Sequence, residues 1–271
     1  MTGKSPTCFA DRVRRECRGR SPSLFRPWIP AFWLAFGVAL SAAVPCGGES
    51  AEAVWTRWIG EAEARLVRTD SYTAVFHKQE RIDGRLREEE TIFMKFKRPF
   101  KVYMKWIRPP HEGRELLHVE GWNGNRIRIH GGGGLLGLFT MNLDPHGRAV
   151  MRASRHVITE SGLEHLVGVV GANIRKGVAA GEVRFLDLGR DNVYGRDAWK
   201  VELRFPADRA KGYYCYRAVL SLDAENRMPL RILAFDSDNR LVERYEYEDV
   251  RLDAGLTDAD FAPGNPAYRL K

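Results

Sequence analysis

An alternation of apolar and polar residues dominates the chain from about residue 70 to residue 252 and predicts a series of β-strands. In residues 100–106 and 199–205 every second side chain is apolar, and polar or charged side chains lie between them. A period of two places the apolar side chains on one face of a strand. Turn sequences such as Asp83-Gly84 and Asn123-Gly124 separate these segments. The pattern therefore predicts two meanders of about five antiparallel strands each.

Two segments with a helical period of apolar residues flank the first meander, at residues 54–69 and 161–176. Ser161 and Glu164 have the spacing of a capping box at the start of the second segment. Gly177 can adopt the left-handed conformation that ends a helix. The apolar face of the first helix is expected to consist of Trp55, Trp58, Ile59, Ala62 and Leu66.

Ten or eleven sequential antiparallel strands favour one large curved sheet or half-open barrel. The predicted fold class is α+β, an open β-barrel of about 10–11 antiparallel strands closed by helices over an apolar cavity. The side chains expected to line this cavity are Phe76, Met94, Phe96, Val102, Met104, Trp106, Ile127, Ile129, Trp199, Val201, Leu203 and Leu220. The same residues could instead form a filled core. We expect Val201→Trp to block the binding of an acyl probe at little cost in stability, whereas in a filled core the same substitution would overpack its neighbours.

The first 53 residues have the organisation of an export signal. Residues 28–44 form an uncharged apolar run after a basic segment, and the small residues at 51–53 (Ala-Glu-Ala) follow. As a helix this run spans only about 25 Å, which is short for a bilayer. We expect a leader over residues 1–53 and a β-rich domain over residues 54–271, exported to the periplasm. A retained membrane anchor and lipidation at Cys46 are the alternatives.

Charge and cysteine content narrow the range of partners. The 271 residues include 43 basic and 35 acidic residues, of which 36 and 31 belong to residues 54–271. This mild excess suits transient contact with an anionic membrane surface, but it is too dispersed for a nucleic-acid interface. Cys215 is the only cysteine after residue 53, so the domain cannot form an internal disulfide. A monomer that binds no nucleic acid is expected.

A glycine-rich stretch, GGGGLLGLF, occupies residues 131–139. Four successive glycines favour a loop without regular structure. Its apolar residues are expected to shield the cavity mouth or to touch a membrane: Leu135, Leu136, Leu138 and Phe139. An ordinary loop folded onto the domain is the alternative. A phosphate-binding loop is not predicted, because no Gly-Lys-Ser/Thr follows the glycines.

No motif in the sequence predicts catalysis or a metal site. The seven histidines lack the His-x-x-x-His spacing of a metal-binding helix, and no Gly-x-Ser-x-Gly nucleophile elbow occurs. Carboxylates are concentrated in residues 88–90 and 243–249, and such charge runs favour solvated strand faces. We therefore expect no catalytic residues, no metal and no other cofactor.

Four segments resemble the periplasmic lipoprotein carriers of the LolA type. They are residues 72–79 (YTAVFHKQ), 93–106 (FMKFKRPFKVYMKW), 119–125 (VEGWNGN) and 256–261 (LTDADF). Residues 55–270 as a whole resemble the DUF1571 group, which is associated with the same superfamily fold. The resemblance implies an 11-stranded open barrel with helices that close an apolar lumen, and neither catalysis nor a cofactor.

The leader, the apolar inner face and this resemblance together predict a function in binding. The leading hypothesis is an exported periplasmic binding protein or carrier for a lipid or an acylated ligand such as a lipoprotein. An envelope interaction or sensor module without a lipid ligand is the second hypothesis, and a hydrolase is the third. Acyl chains that copurify with the protein, extracted with organic solvent and identified by mass spectrometry, would favour the carrier.

Overall fold

The computed structural model describes residues 49–133 and 139–271, which contain twelve strands and three α-helices. Residues 1–48, with most of the predicted leader, lie outside this description. The helices are α1 (Ala51–Arg68), α2 (Arg148–Met151) and α3 (Leu163–Ala179). The strands are β1 (Ser71–Ile82), β2 (Arg85–Leu86), β3 (Glu90–Lys97), β4 (Lys101–Trp106), β5 (Glu115–Val119), β6 (Ile127–His130), β7 (Thr140–Leu143), β8 (Arg184–Val193), β9 (Arg196–Arg204), β10 (Arg217–Asp223), β11 (Pro229–Phe235) and β12 (Leu241–Leu252).

Eleven of these strands form one antiparallel sheet in the order β7-β6-β5-β4-β3-β1-β12-β11-β10-β9-β8, and β2 pairs with β1 outside that path. Each half of the sheet is a meander, and the pairing of β1 with β12 joins the halves at the centre. In the described part of the chain β7 and β8 are the outer strands, so the sheet is open. The predicted α+β class, with about 10–11 antiparallel strands in an open sheet, is confirmed.

Two of the predicted turn sequences reverse the chain between neighbouring strands. Asn123 and Gly124 have φ values of 56° and 62°, which is the left-handed conformation that a type I′ turn requires at both central positions. Asp83 and Gly84 have φ values of 49° and 76°. Glycine, asparagine and aspartate adopt this conformation at low cost, which is why these pairs mark turns in the sequence.

Helix α1 begins three residues before the predicted start at residue 54. The hydroxyl of Ser50 caps it by accepting a hydrogen bond from the Ala53 N–H at 3.2 Å. The boundary expected between leader and domain, after residue 53, therefore falls within the first turn of α1, and cleavage of the leader stays a prediction. Among the described helices, none is long and apolar enough to cross a membrane.

The capping box predicted at the start of α3 is wrong. Gly162, with a φ of 108°, precedes the helix, and the Tyr72 hydroxyl accepts a hydrogen bond from the Leu163 N–H at 2.9 Å. A Cβ at residue 162 would lie 2.7 Å from that hydroxyl, so close packing against β1 determines how the helix begins. Glu164 pairs with Arg98 at 2.8 Å instead of returning to the helix start.

Gly177 does not end α3, although the sequence predicts that it should. The helix continues to Ala179. Gly177 lies inside the helix against Val183 and Phe205, and an added Cβ would approach the Val183 Cβ to 2.7 Å. Close packing between α3 and the following chain, rather than a left-handed cap, therefore requires a glycine here.

One hydrophobic core lies between the sheet and the helices α1 and α3. All twelve side chains predicted for the cavity belong to it: ten are buried, and Ile129 and Trp199 are partly buried and packed against the others. They thus share the face of the sheet that the helices cover. The helices determine which part of each strand packs in a filled core and which part faces a cavity.

Candidate functional site

A partly open cavity of about 330 Å³ lies between the sheet, helix α3 and the segment around α2. Its volume falls within the range of roughly 300–1,000 Å³ that is usual for small-molecule pockets. Most of its wall is apolar, and the residues that contribute to this surface include Phe76, Met104, Ile127, Leu166, Val169 and Leu203. An apolar ligand would gain free energy by covering this wall.

The twelve residues predicted for the cavity divide into two groups of six. Those that line it are Phe76, Met104, Trp106, Ile127, Ile129 and Leu203. Those in the filled part of the core are Met94, Phe96, Val102, Trp199, Val201 and Leu220. The division falls within single strands. In β4, Val102 is packed while Met104 and Trp106 line the cavity, and in β9 Val201 is packed while Leu203 lines it.

Aromatic side chains fill the half of the core that has no cavity. Trp58 of α1 lies between Trp55 and Trp199, with ring-centroid distances of 5.2 and 6.0 Å. Tyr72 of β1 stacks on Phe96 of β3 at 5.1 Å. Such rings bury large apolar areas. They occupy one end of the strands, and the cavity lies at the other end.

Residues 148–160, the cover segment, form part of the cavity wall together with α3. This segment begins with the one-turn helix α2. It contributes to the lining Ala149, Val150, Ala153, Ser154, His156, Ile158 and Glu160. Among these seven residues only Ile158 is buried. Apolar packing therefore holds the cover segment less firmly than it holds α1 or α3.

Two side chains of the cover segment bind a buried carboxylate on β12. Glu243 is only 3% exposed, and its Oε1 accepts hydrogen bonds from Arg155 Nε at 2.6 Å and from His156 Nε2 at 3.0 Å. Its Oε2 accepts a hydrogen bond from the Tyr214 hydroxyl. The other ring nitrogen of His156, Nδ1, lies 2.9 Å from Glu160. Both ring nitrogens thus face carboxylates, which suits the protonated imidazolium.

A second buried carboxylate, Glu80 of β1, reinforces this contact. Its Oε2 accepts a hydrogen bond from the Arg155 backbone N–H at 3.0 Å, and its Oε1 accepts one from the Tyr245 hydroxyl at 2.5 Å. Lys78 Nζ lies 3.4 Å from Glu80 and 3.4 Å from the Ser154 hydroxyl. Polar bonds therefore attach the cover segment to the sheet. Its polar latch consists of Glu80, Arg155, His156 and Glu243.

The latch shifts the pKa values of its histidine and its central carboxyl in opposite directions. Burial disfavours the charged form of His156, but the hydrogen bond and charge of Glu243 hold the pKa of His156 above its ordinary value of 6.5. Burial also disfavours ionised Glu243, yet hydrogen bonds from His156 and Tyr214 hold the pKa of Glu243 below its ordinary value of 4.5. His156 and Glu243 are therefore both charged between about pH 4.5 and 6.5.

We expect the latch to stabilise the folded protein most between about pH 4.5 and 6.5. The raised pKa of His156 stabilises the folded state below pH 6.5, and this contribution is lost as the pH rises through the folded-state value. The lowered pKa of Glu243 stabilises above pH 4.5, and this contribution is lost as the pH falls through its folded-state value. Urea denaturation of wild type and His156→Gln measures the effect: the difference in free energy of unfolding should shrink above pH 6.5. A difference that does not change with pH would contradict it.

A further polar group lines the cavity where β4 ends and β5 begins. Trp106 Nε1 donates a hydrogen bond to Glu90 Oε2 at 2.5 Å, and Lys78 Nζ lies 3.9 Å from Glu90 Oε1. The guanidinium of Arg114 lies over the Trp106 ring, 5.4 Å from its centroid. Burial lowers the pKa of Arg114, and the nearby charge of Glu90 opposes this shift. Arg114 thus brings a positive charge to this side of the cavity.

Cys215 lines the cavity but is not an activated nucleophile. Burial, together with the charge of Glu243, raises the pKa of its thiol to about 12. A thiol with this pKa is protonated near neutral pH, whereas reactive cysteines have lowered pKa values. Within the described residues, no three His, Cys, Asp or Glu side chains are grouped so that they could hold a metal ion.

The glycine-rich stretch follows β6 and precedes β7 in the chain. Gly131, its first residue, and Met141, two residues after its end, line the cavity, and Phe139 is 63% exposed. The predicted mouth residues outside the described part of the chain are Leu135, Leu136 and Leu138. The role of this stretch at the mouth stays a prediction.

The polar latch is not predicted by the sequence pattern, although a signal for it exists. The expected solvated faces of residues 88–90 and 243–249 are wrong at Glu90, Glu243 and Glu246, which are buried. Glu243 is buried where it binds the cover segment. On β1 the apolar phase that includes Phe76 continues through Lys78 and Glu80. Two charged side chains therefore fall on the inward face of a strand. A charged residue in an apolar phase marks a polar site within a core.

The comparison with protein families covers most of the chain. Residues 69–270 match the model of a protein of unknown function, DUF1571. The chain belongs to the DUF1571 family. The match includes all the described strands and α3, and the family resemblance drawn from the sequence is confirmed. No curated protein has a sequence that matches this DUF1571 chain.

Several solved structures are similar to this DUF1571 protein. The lipoprotein LppX from Mycobacterium tuberculosis has a TM-score of 0.45 and 11% identity, over 75% of this chain and 97% of that chain. A LolA superfamily protein from Nitrosomonas europaea has a TM-score of 0.35 and 12% identity, over 76% and 96%. A chain in the complex of MucA and MucB from Pseudomonas aeruginosa has a TM-score of 0.41 and 18% identity, over 79% and 61%.

Proposed function

We propose that this DUF1571 protein binds an acyl chain in its cavity and acts as an exported binding protein or carrier for a lipid or an acylated protein. The observation that carries the proposal is the partly open cavity of about 330 Å³ with a mostly apolar wall. The leader, which has the organisation of a signal peptide, supports export to the periplasm. Binding of this kind needs volume and apolar surface rather than a catalytic group.

An acyl chain matches the energetics of this cavity. Burial of one methylene group contributes about 0.8 kcal/mol, so a buried segment of seven or eight methylenes would contribute roughly 6 kcal/mol. On α3, Leu166, Val169 and Val170 face the cavity and are only partly buried. A ligand would complete the burial of these side chains. Burial of the ligand and burial of these side chains would both stabilise the complex.

The way in which the cover segment is held suits uptake and release. Its attachment is mainly the polar latch, and opening would expose side chains such as Glu243 and His156 that water can solvate. Separating a packed apolar interface would cost more, because apolar surface would then be exposed. Segments with few buried apolar contacts open at low free-energy cost. The cover segment is therefore the element that we propose moves when a ligand enters.

Filling the cavity should abolish acyl binding while the fold is retained. In Val169→Trp an indole replaces a partly buried side chain on the cavity side of α3. Since the indole occupies volume that the acyl chain needs, we expect the affinity for a fluorescent acyl probe to fall at least tenfold. Probe titration measures the affinity, and thermal unfolding of the same sample checks the fold.

Val67→Trp is the matched control, because the same substitution is made on a helix at a position that is 64% exposed and outside the cavity. It should leave probe affinity unchanged. If wild type binds no acyl probe, or if both variants bind it as tightly as wild type, the proposed function is wrong. Organic extraction and mass spectrometry of the natively purified protein supply an independent test for bound acyl chains.

A second candidate function is an envelope interaction module, and the outer strand β8 favours it. Leu186 and Leu188 of β8 are 51% and 40% exposed, and within the described residues this strand pairs on one side only. Such edges can accept a strand from a partner. An absence of acyl binding, combined with loss of a partner complex in Leu186→Lys, would support this function in place of the carrier.

A further inference from the structure

Arg114 brings a positive charge to an apolar region of the cavity wall. It precedes β5, is half-buried, and lies with its guanidinium over the Trp106 ring at 5.4 Å. The neighbouring lining residues on β5, β6 and β7 are Leu116, Ile127, Ile129 and Met141. A guanidinium is costly to bury unless an anion or hydrogen-bond acceptor compensates it. Its presence in this wall therefore needs a partner.

The described residues do not supply that partner. No described carboxylate lies within 4.0 Å of the Arg114 guanidinium. Glu90 influences it only at longer range, because its two oxygens face Trp106 Nε1 at 2.5 Å and Lys78 Nζ at 3.9 Å. Burial correspondingly lowers the pKa of Arg114. An anionic group on a bound ligand would accept hydrogen bonds from the guanidinium.

The backbone places Arg114 beside the glycine-rich stretch. Gly132 has a φ of 86°, and an added Cβ would approach the Arg114 backbone nitrogen to 2.5 Å. Gly131 itself lines the cavity. The Arg114 backbone therefore lies beside Gly132, and Leu203 and Phe205 line the cavity from the other half of the sheet. A guanidinium and a mostly apolar wall therefore line the same cavity, which suits an amphiphile with one polar head.

We propose that Arg114 binds the head group of the ligand, and that the ligand is an acyl-chain amphiphile whose head carries an anionic oxygen group, either a carboxylate or a phosphate. This inference rests on the proposed function and names its ligand class. The guanidinium offers parallel N–H donors that fit two oxygens of either group, and a lysine would offer only a point charge. The guanidinium lies over the Trp106 ring, and both residues line the cavity.

Three ligands with twelve carbons each test the inference: dodecanoate, dodecyl phosphate and dodecanol. Each displaces a fluorescent acyl probe from wild type at neutral pH. We expect at least one anionic ligand to bind roughly 10- to 100-fold more tightly than dodecanol, which is the effect of hydrogen bonds to a charged group. The preferred anion distinguishes a fatty acid from a lipid phosphate. Equal affinity for all three ligands would overturn the inference and leave the proposed function intact.

Arg114→Gln should remove this preference and leave dodecanol binding nearly unchanged. Arg108→Gln is the matched control, because Arg108 lies in the same β4–β5 connection but is exposed and outside the cavity lining. It should keep the wild-type preference. Persistence of the preference in Arg114→Gln would also overturn the inference. If Arg114→Gln does not fold, Arg114→Lys takes its place in the experiment. We expect this variant to show a smaller preference for the anionic ligand over dodecanol than wild type shows. Failure of dodecanol and both anions to bind wild type would reject the proposed function itself.

Discussion

Replacing Glu243 by alanine should lower the free energy of unfolding by about 3 kcal/mol. Removing one member of a buried, hydrogen-bonded charge network typically costs about 3–5 kcal/mol, because its partners lose their acceptor. The lower end of the range applies here, since the Arg155 side chain is 36% exposed and can turn to water. The His156 side chain has less access to solvent, since it is 25% exposed. Urea denaturation at about pH 6, where the latch is fully charged, measures the change.

Glu225→Ala is the control for this experiment. Glu225 also pairs with an arginine, Arg196, at 3.3 Å, but its side chain is 84% exposed, so its loss should change the free energy of unfolding by less than about 1 kcal/mol. Glu243→Ala should also speed the dissociation of an acyl probe, because the cover segment then opens more often. If Glu243→Ala unfolds at the same urea concentration as wild type, the latch does not hold the cover segment.

The sheet is the part of the fold that local sequence predicts best. Alternation in β4 and β9 and the turn at Asn123-Gly124 depend on neighbouring residues, so they can be recognised without the rest of the chain. The start of α3 cannot be recognised in this way. Its Leu163 N–H is satisfied by the hydroxyl of Tyr72, which lies 91 residues earlier in the chain. A contact between residues so far apart in the sequence leaves no pattern in the local sequence.

The site is less predictable than the fold for a related reason. Val102 and Met104 occupy equivalent phases of β4, and the period of two assigns both to the inner face. Aromatic side chains from distant parts of the chain, including Trp55 of α1, fill one half, and the other half is a cavity. Arg114 lies in a connection with no period at all, so its place in the cavity wall follows only from the way in which β4, β5 and the glycine-rich stretch meet.

Val201→Trp should destabilise the protein by about 3 kcal/mol or more. Val201 is fully buried in β9 opposite Leu220, and it belongs to the filled half of the core rather than to the cavity. Inserting additional volume into a packed core typically costs about 1–3 kcal/mol, and a change from valine to tryptophan is at the upper end of the range. The inner-face pattern alone would allow Val201 to face an open lumen, where the same change would be tolerated. Chemical denaturation of the purified variant measures the cost.

The same substitution at Val169 is the internal control, because it adds the same indole on the cavity side of the core. We expect Val169→Trp to lose acyl binding and to keep nearly the wild-type free energy of unfolding. Val201→Trp should show the reverse order of effects: a large loss of stability and, in the fraction that remains folded, acyl binding close to wild type. Both variants together thus test whether the boundary between filled core and cavity crosses β9 between Val201 and Leu203. Equal destabilisation by the two substitutions would mean that the space beside Val169 is packed in solution, and the acyl-chain proposal would then lose its physical basis.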